Sequence, residues 1–213
     1  MFGKKKIAVD FGSFSKERSK ELIADKISLS LLMSEKFLNY IPEKMDPTEA
    51  KNNRLEFEMM SEGFLYFIIG ARDALLQKIN KDLQLKLDED KVRLDTILEK
   101  LDKTDQTQKL IYKLLNDATQ LPRRNDTVWD RRKSWLWELN YIRNRIGHRN
   151  ILSSALVVVA GAGESISASL IVYQPRKDNP NNQIKEAKPK EYYTKGFEKF
   201  SELKNKIDEL IES

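Results

Sequence analysis

Between about Ala50 and Leu83 apolar side chains return at every third or fourth position: Phe57, Met60, Phe64, Phe67, Ile68, Ala71, Leu75 and Ile79. Leu65, Ile69 and Leu76 add apolar groups on the flanks of that stripe. The spacing predicts one long helix. A helix wrapped so widely in apolar groups belongs in the middle of a bundle, so the rest of the chain must supply helices to surround it.

Those helices are legible. From Lys16 to about Tyr40, Leu22, Ile23, Ile27, Leu31, Phe37 and Leu38 recur at helical spacing, and Ile41-Pro42 closes the segment. Asp46-Pro47-Thr48-Glu49 reads as the turn and start of the central helix, because proline and acidic side chains both suit a first turn. Residues 90–101 and 106–118 form two shorter amphipathic patterns joined at Thr104-Asp105, and Val128 to His148 forms another, capped by Asn125-Asp126-Thr127. A last one carries Tyr193, Phe197, Phe200, Leu203, Ile207 and Leu210. Between them, the β-branched run near 155–159, the Gly161-Ala162-Gly163 turn and the alternation of Ile166, Ala168, Leu170 and Val172 with serines predict a β-hairpin over 155–173. Residues 1–14 are a tail or short strand, and 176–190 a polar loop. The fold class expected is mostly α, one helical bundle over residues 1–213 with a small hairpin before the C-terminal helix.

With 33% charged and 40% hydrophobic residues, the chain has the balance of amphipathic helices with solvated outer faces. The absence of cysteine removes disulfides, thiolate metal sites and a cysteine nucleophile. One histidine and scattered carboxylates give no metal-ligand cluster, so neither a metal nor another cofactor is expected. Gly161-Ala162-Gly163 lacks the third glycine and following helix of a dinucleotide loop, since Ile166 stands where that glycine belongs. The apolar run Ile7-Ala8-Val9 is too short for a signal peptide, and no stretch suits a membrane span, so the expected location is the cytoplasm.

Charge is concentrated. Arg123, Arg124, Arg131, Arg132, Lys133, Arg143, Arg145 and Arg149 stand against Asp126, Asp130 and Glu138, an excess equal to the +5 of the whole chain. The single histidine, His148, and the three tryptophans, Trp129, Trp135 and Trp137, lie in the same segment. On a helix, Trp135, Leu139, Ile142 and Ile146 share a stripe facing the core, while Trp137, Tyr141, Asn144 and His148 fall on the opposite side with Arg143 between. Basic groups attract phosphate, exposed rings stack on bases, and an imidazole with an ordinary pKa of about 6.5 exchanges protons at neutral pH. Arginine adds a fixed cation for charge growing on a phosphate oxygen. RNA brings its own 2′-hydroxyl nucleophile, so an acid or base and a cation suffice for cleavage. A blander reading stands beside this one: a histidine near a helix end also serves as a C-terminal cap, and basic faces are often simply solvated.

The stretch Ile142-Arg143-Asn144-Arg145-Ile146-Gly147-His148 resembles the RxxxxH signature of the HEPN superfamily, in the form with asparagine directly after the arginine. The order of elements is similar too, with a long apolar helix before the motif helix and a further helix after it. The resemblance implies a metal-independent endoribonuclease acting on RNA, often a homodimer whose two motifs meet across a cleft. Arg143 would then stabilise the phosphate, His148 act as acid or base, and Asn144 orient one of them. Arg131, Arg132, Lys133, Arg145, Arg149, Trp137 and Tyr141 are the accompanying RNA-binding candidates. Many such proteins resemble toxin or phage-defence effectors restrained by a nucleotidyltransferase antitoxin. Some carry a modifiable tyrosine two residues after the histidine, where this chain has Asn150. The rival readings are a catalytically silent member that binds RNA or protein, and a plain helical interaction module. Arg72-Asp73, charges inside the most apolar helix, read either as an ion pair or as placing Asp73 where it orients Arg143 or His148.

Overall fold

The computed structural model describes residues 16–41, 50–119, 135–149, 156–160, 166–173 and 185–213. These are mostly helical: α1 Lys16–Tyr40, α2 Ala50–Asp82, α3 Leu94–Lys100, α4 Gln106–Thr119, α5 Trp135–Arg149 and α6 Pro189–Glu212. No described helix is long and apolar enough to cross a membrane.

The central position expected for α2 is where it lies: it packs against α1, α3, α5 and α6. Phe57, Phe64, Leu65, Ile68, Ile69, Ala71, Leu75, Leu76 and Ile79 are all buried along it, while Met60 and Phe67 are only partly covered at its edge. Small residues let α1 come close. The Phe37 ring occupies the space a Cβ on Gly63 would need, and Ser30 lies 3.8 Å from the equivalent point at Gly70. At the other end of the pair Lys20 meets Asp82 at 2.7 Å and Lys81 meets Ser19, so the two helices run antiparallel.

On the other flank, Leu136, Leu139 and Ile142 of α5 and Tyr193, Phe200, Leu203 and Ile207 of α6 complete the core. Phe64 and Tyr193 pack ring to ring at 4.8 Å, and Leu139 sits 3.1 Å from the point a Cβ would occupy on Gly196. Asp105 caps α4, its carboxylate accepting from the Gln108 N–H at 2.7 Å, as the Thr104-Asp105 junction predicts. The pattern over 90–101 resolves into a 3-10 turn, Glu89–Lys91, followed by the shorter α3. α6 begins at Pro189, whose missing N–H costs nothing in a first turn.

Three short strands, β1 Leu156–Ala160, β2 Ile166–Tyr173 and β3 Lys185–Ala187, pair antiparallel in that order. Leu156 faces Leu170 and Ala160 faces Ile166 across the first ladder. β3 falls within the stretch read as a polar loop, because a three-residue edge strand needs backbone pairing and no apolar alternation. The 161–165 turn and residues 1–15 lie outside the described residues.

Lys78 of α2 clips α6 by donating to Asp208 at 2.8 Å, with Asp82 and Lys204 completing the cluster. Burial pulls the Lys78 ammonium down, but the bond and charge of Asp208 outweigh it and hold its pKa above 10.5. Burial likewise pushes Asp208 up, and the bonds from Lys204 and Lys78 overcome it to hold the carboxyl below 3.8. A raised lysine stabilises the fold until pH climbs past its unfolded value, and a depressed aspartate until pH falls below its own. The expected result is a clip contributing fully between about pH 4 and pH 10 and fading outside that window. Melting temperatures of the wild type and Lys78→Met should therefore differ across the plateau and converge at both extremes; a constant difference at all pH values would refute the assignment.

Candidate functional site

α5 is held by its apolar face. Leu136, Leu139 and Ile142 are buried on it. Arg143 is exposed and Asn144 half-buried. The Arg143 guanidinium donates through Nη1 to Asn144 Oδ1 at 3.1 Å, fixing which way the carboxamide points. His148 follows Asn144 by one turn on the same continuous helix. The side chains of Tyr141, Arg145, Ile146, His148 and Arg149 lie outside the described residues, as do Arg131, Arg132 and Lys133 altogether.

Several neighbours differ from the sequence expectation. Trp137 and Asn144 are half-buried rather than fully turned out, whereas Trp135 packs on the core as its stripe implies, its ring edge-on to Phe200 at 6.5 Å. Trp135 also lines a shallow cleft with Leu114, Ala118 and Leu203, rimmed by Lys206, whose charge is taken by Glu202 at 2.6 Å. That cleft lies two turns before Arg143 on α5 and is a separate feature.

Two interactions escaped sequence reasoning. Glu138 is buried, and the Tyr192 hydroxyl of α6 donates to its Oε2 at 2.9 Å. Burial, then the charge of Glu138 and the bond to it, push the Tyr192 phenol far above its usual value, which makes it a permanent donor rather than a base. The second involves α2. Arg72 donates to Asp73 Oδ1 from Nε at 2.9 Å and from Nη2 at 2.6 Å, which is the ion pair considered above. Its remaining nitrogen, Nη1, reaches Asn140 Oδ1 on α5 at 3.0 Å. It is therefore Arg72 that touches the motif helix, while Asp73 is paired with Arg72 at the surface. A signal was present: Asn140, Asn144 and His148 recur every fourth residue.

Among the described residues no group of three His, Cys, Asp or Glu side chains could hold a metal ion. What the arrangement offers is a fixed cation, oriented carboxamides and hydrogen-bond donors on one edge of α5. No family model matches the chain, and neither a curated protein nor a solved structure is significantly similar to it.

Proposed function

We propose that the chain is a metal-independent endoribonuclease of the HEPN type, its helices a HEPN-like bundle with residues 155–173 an appended hairpin. The observation that supports this best is the exposed Arg143 bonded to Asn144, on a helix whose apolar face is anchored and whose next turn carries His148. The 2′-oxygen of the ribose attacks the adjacent phosphorus and loses its proton to a base. The bond from phosphorus to the 5′-oxygen breaks, and that oxygen takes a proton as it leaves. His148 serves one of these two transfers and solvent water the other, and Arg143 balances the charge that gathers on the non-bridging oxygens. Asn144 holds the guanidinium in place.

The test is purified protein and mixed RNA in EDTA. The expected products end in 2′,3′-cyclic phosphate and 5′-hydroxyl, and a 2′-deoxy strand of the same sequence stays intact. Cleavage that requires added metal would overturn the proposal, and binding without cleavage would leave a silent RNA-binding module. A homodimer is part of the reading, because a second copy doubles the positive charge and turns an edge into a cleft. Sedimentation should show a dimer at micromolar concentration; an active monomer would remove that part.

A further inference from the structure

Arg72 of α2 hydrogen-bonds to α5, and its arrangement repeats that of Arg143 one turn away. In each case a guanidinium Nη1 donates to the Oδ1 of an α5 asparagine, Asn140 at 3.0 Å and Asn144 at 3.1 Å. Each asparagine also carries two amide N–H donors. Each pair therefore gathers guanidinium and amide donors on one side of α5, the pattern that suits a phosphate oxygen. The two asparagines are four residues apart on one helix, which places them about 6 Å apart along its axis and about 40° around it. That step is comparable to the separation of successive phosphates on a single strand.

Asp73 explains how such a site is kept closed. Arg72 has five N–H donors, of which three are engaged, two on Asp73 and one on Asn140. The Arg72 side chain is 19% exposed and Asp73 is 58% exposed, so the pair opens to solvent on the carboxylate side. An ion pair placed there adds little to stability and is exchanged readily for another anion. We infer that Arg72 and Asn140 form a second phosphate subsite for single-stranded RNA beside Arg143 and Asn144, in which a phosphodiester replaces the Asp73 carboxylate on the guanidinium. This inference rests on the ribonuclease reading and adds a residue from a different helix to it.

The experiment measures binding of a fluorescein-labelled single-stranded RNA oligonucleotide to the full chain carrying His148→Ala, across a range of salt concentrations. Loss of one phosphate contact makes the slope of log affinity against log salt shallower by about 0.7. Arg72→Gln should show that change. Asp73→Asn, an exposed substitution that leaves the helix intact, should bind more tightly and with a steeper slope. Glu99→Gln on α3 makes the same charge change elsewhere and should do neither. If Arg72→Gln lowers the melting temperature but keeps the parent slope, or if Asp73→Asn and Glu99→Gln are alike, Arg72 is a structural clip and the inference fails alone. If the His148→Ala parent binds no RNA, the ribonuclease reading fails with it.

Discussion

Replacing His148 with alanine is expected to slow metal-free RNA cleavage by about 10²- to 10⁴-fold, the usual contribution of a positioned acid or base. Arg143→Ala should cost about 10²- to 10³-fold, as loss of one donor to a developing oxyanion does. Neither loss should come from unfolding. Arg143 is exposed, and surface substitutions of this kind stay within about 0.5 kcal/mol. Alanine is also the strongest helix former, so α5 keeps its shape at either position. Arg143→Lys separates charge from geometry: an ammonium keeps the cation but not the planar fork that bonds Asn144, and only partial activity should return. The two groups act on one transition state, so the double variant should be little worse than the poorer single one. Single-turnover cleavage in EDTA with parallel thermal melts reads all of this. Equal residual cleavage in the wild type and both alanine variants would mean that these residues are not the catalytic ones.

The helices were legible because their apolar residues keep helical spacing over many turns. Lys16–Tyr40 and the long α2 begin where the pattern begins, and Pro42 marks a boundary no helix crosses easily. The shortening of α3 was not legible. Asp88 to Lys91 is pinned as a turn by Lys91 bonded back to Asp88, through both its side chain and its N–H, which a stripe of apolar residues does not reveal.

The site was legible in part for a related reason. A stripe read at 100° per residue assumes one neighbour, whereas α5 packs against α2, α4 and α6. Its buried arc is consequently wide, taking in Leu136 and Glu138 as well as Leu139 and Ile142. Glu138 reads as surface charge in the sequence because nothing nearby in the chain announces Tyr192, fifty-four positions later. Arg72 stood out for the opposite reason, a charge where the pattern demands apolar groups. Its partner Asn140 comes from a helix 68 positions away, and only folding brings them together.

The largest loss of stability should come from Phe64→Ala, which is expected to cost about 3–5 kcal/mol, as removal of a fully buried aromatic ring does. Phe64 is wholly buried at the middle of α2, with the ring of Tyr193 from α6 at 4.8 Å. A double-mutant cycle on the two rings should give a coupling of about 0.5–1.5 kcal/mol beyond burial. Tyr193→Phe makes the contrast. Its hydroxyl is buried beside that of Ser61, and burial pushes the phenol well above its usual pKa against the opposing bond from Ser61. Removing that hydroxyl while keeping the ring should cost no more than one hydrogen bond, about 0.5–1.5 kcal/mol. Urea denaturation measures both, and a Phe64→Ala cost below 1 kcal/mol would show that α2 is not the centre of the core. The consequence reaches the site through α6: Leu139 of α5 packs on Gly196, one turn along from Tyr193. Loosening α6 therefore frees the apolar anchor that turns Arg143 outward, and cleavage by Phe64→Ala should fall at temperatures where the protein is still folded.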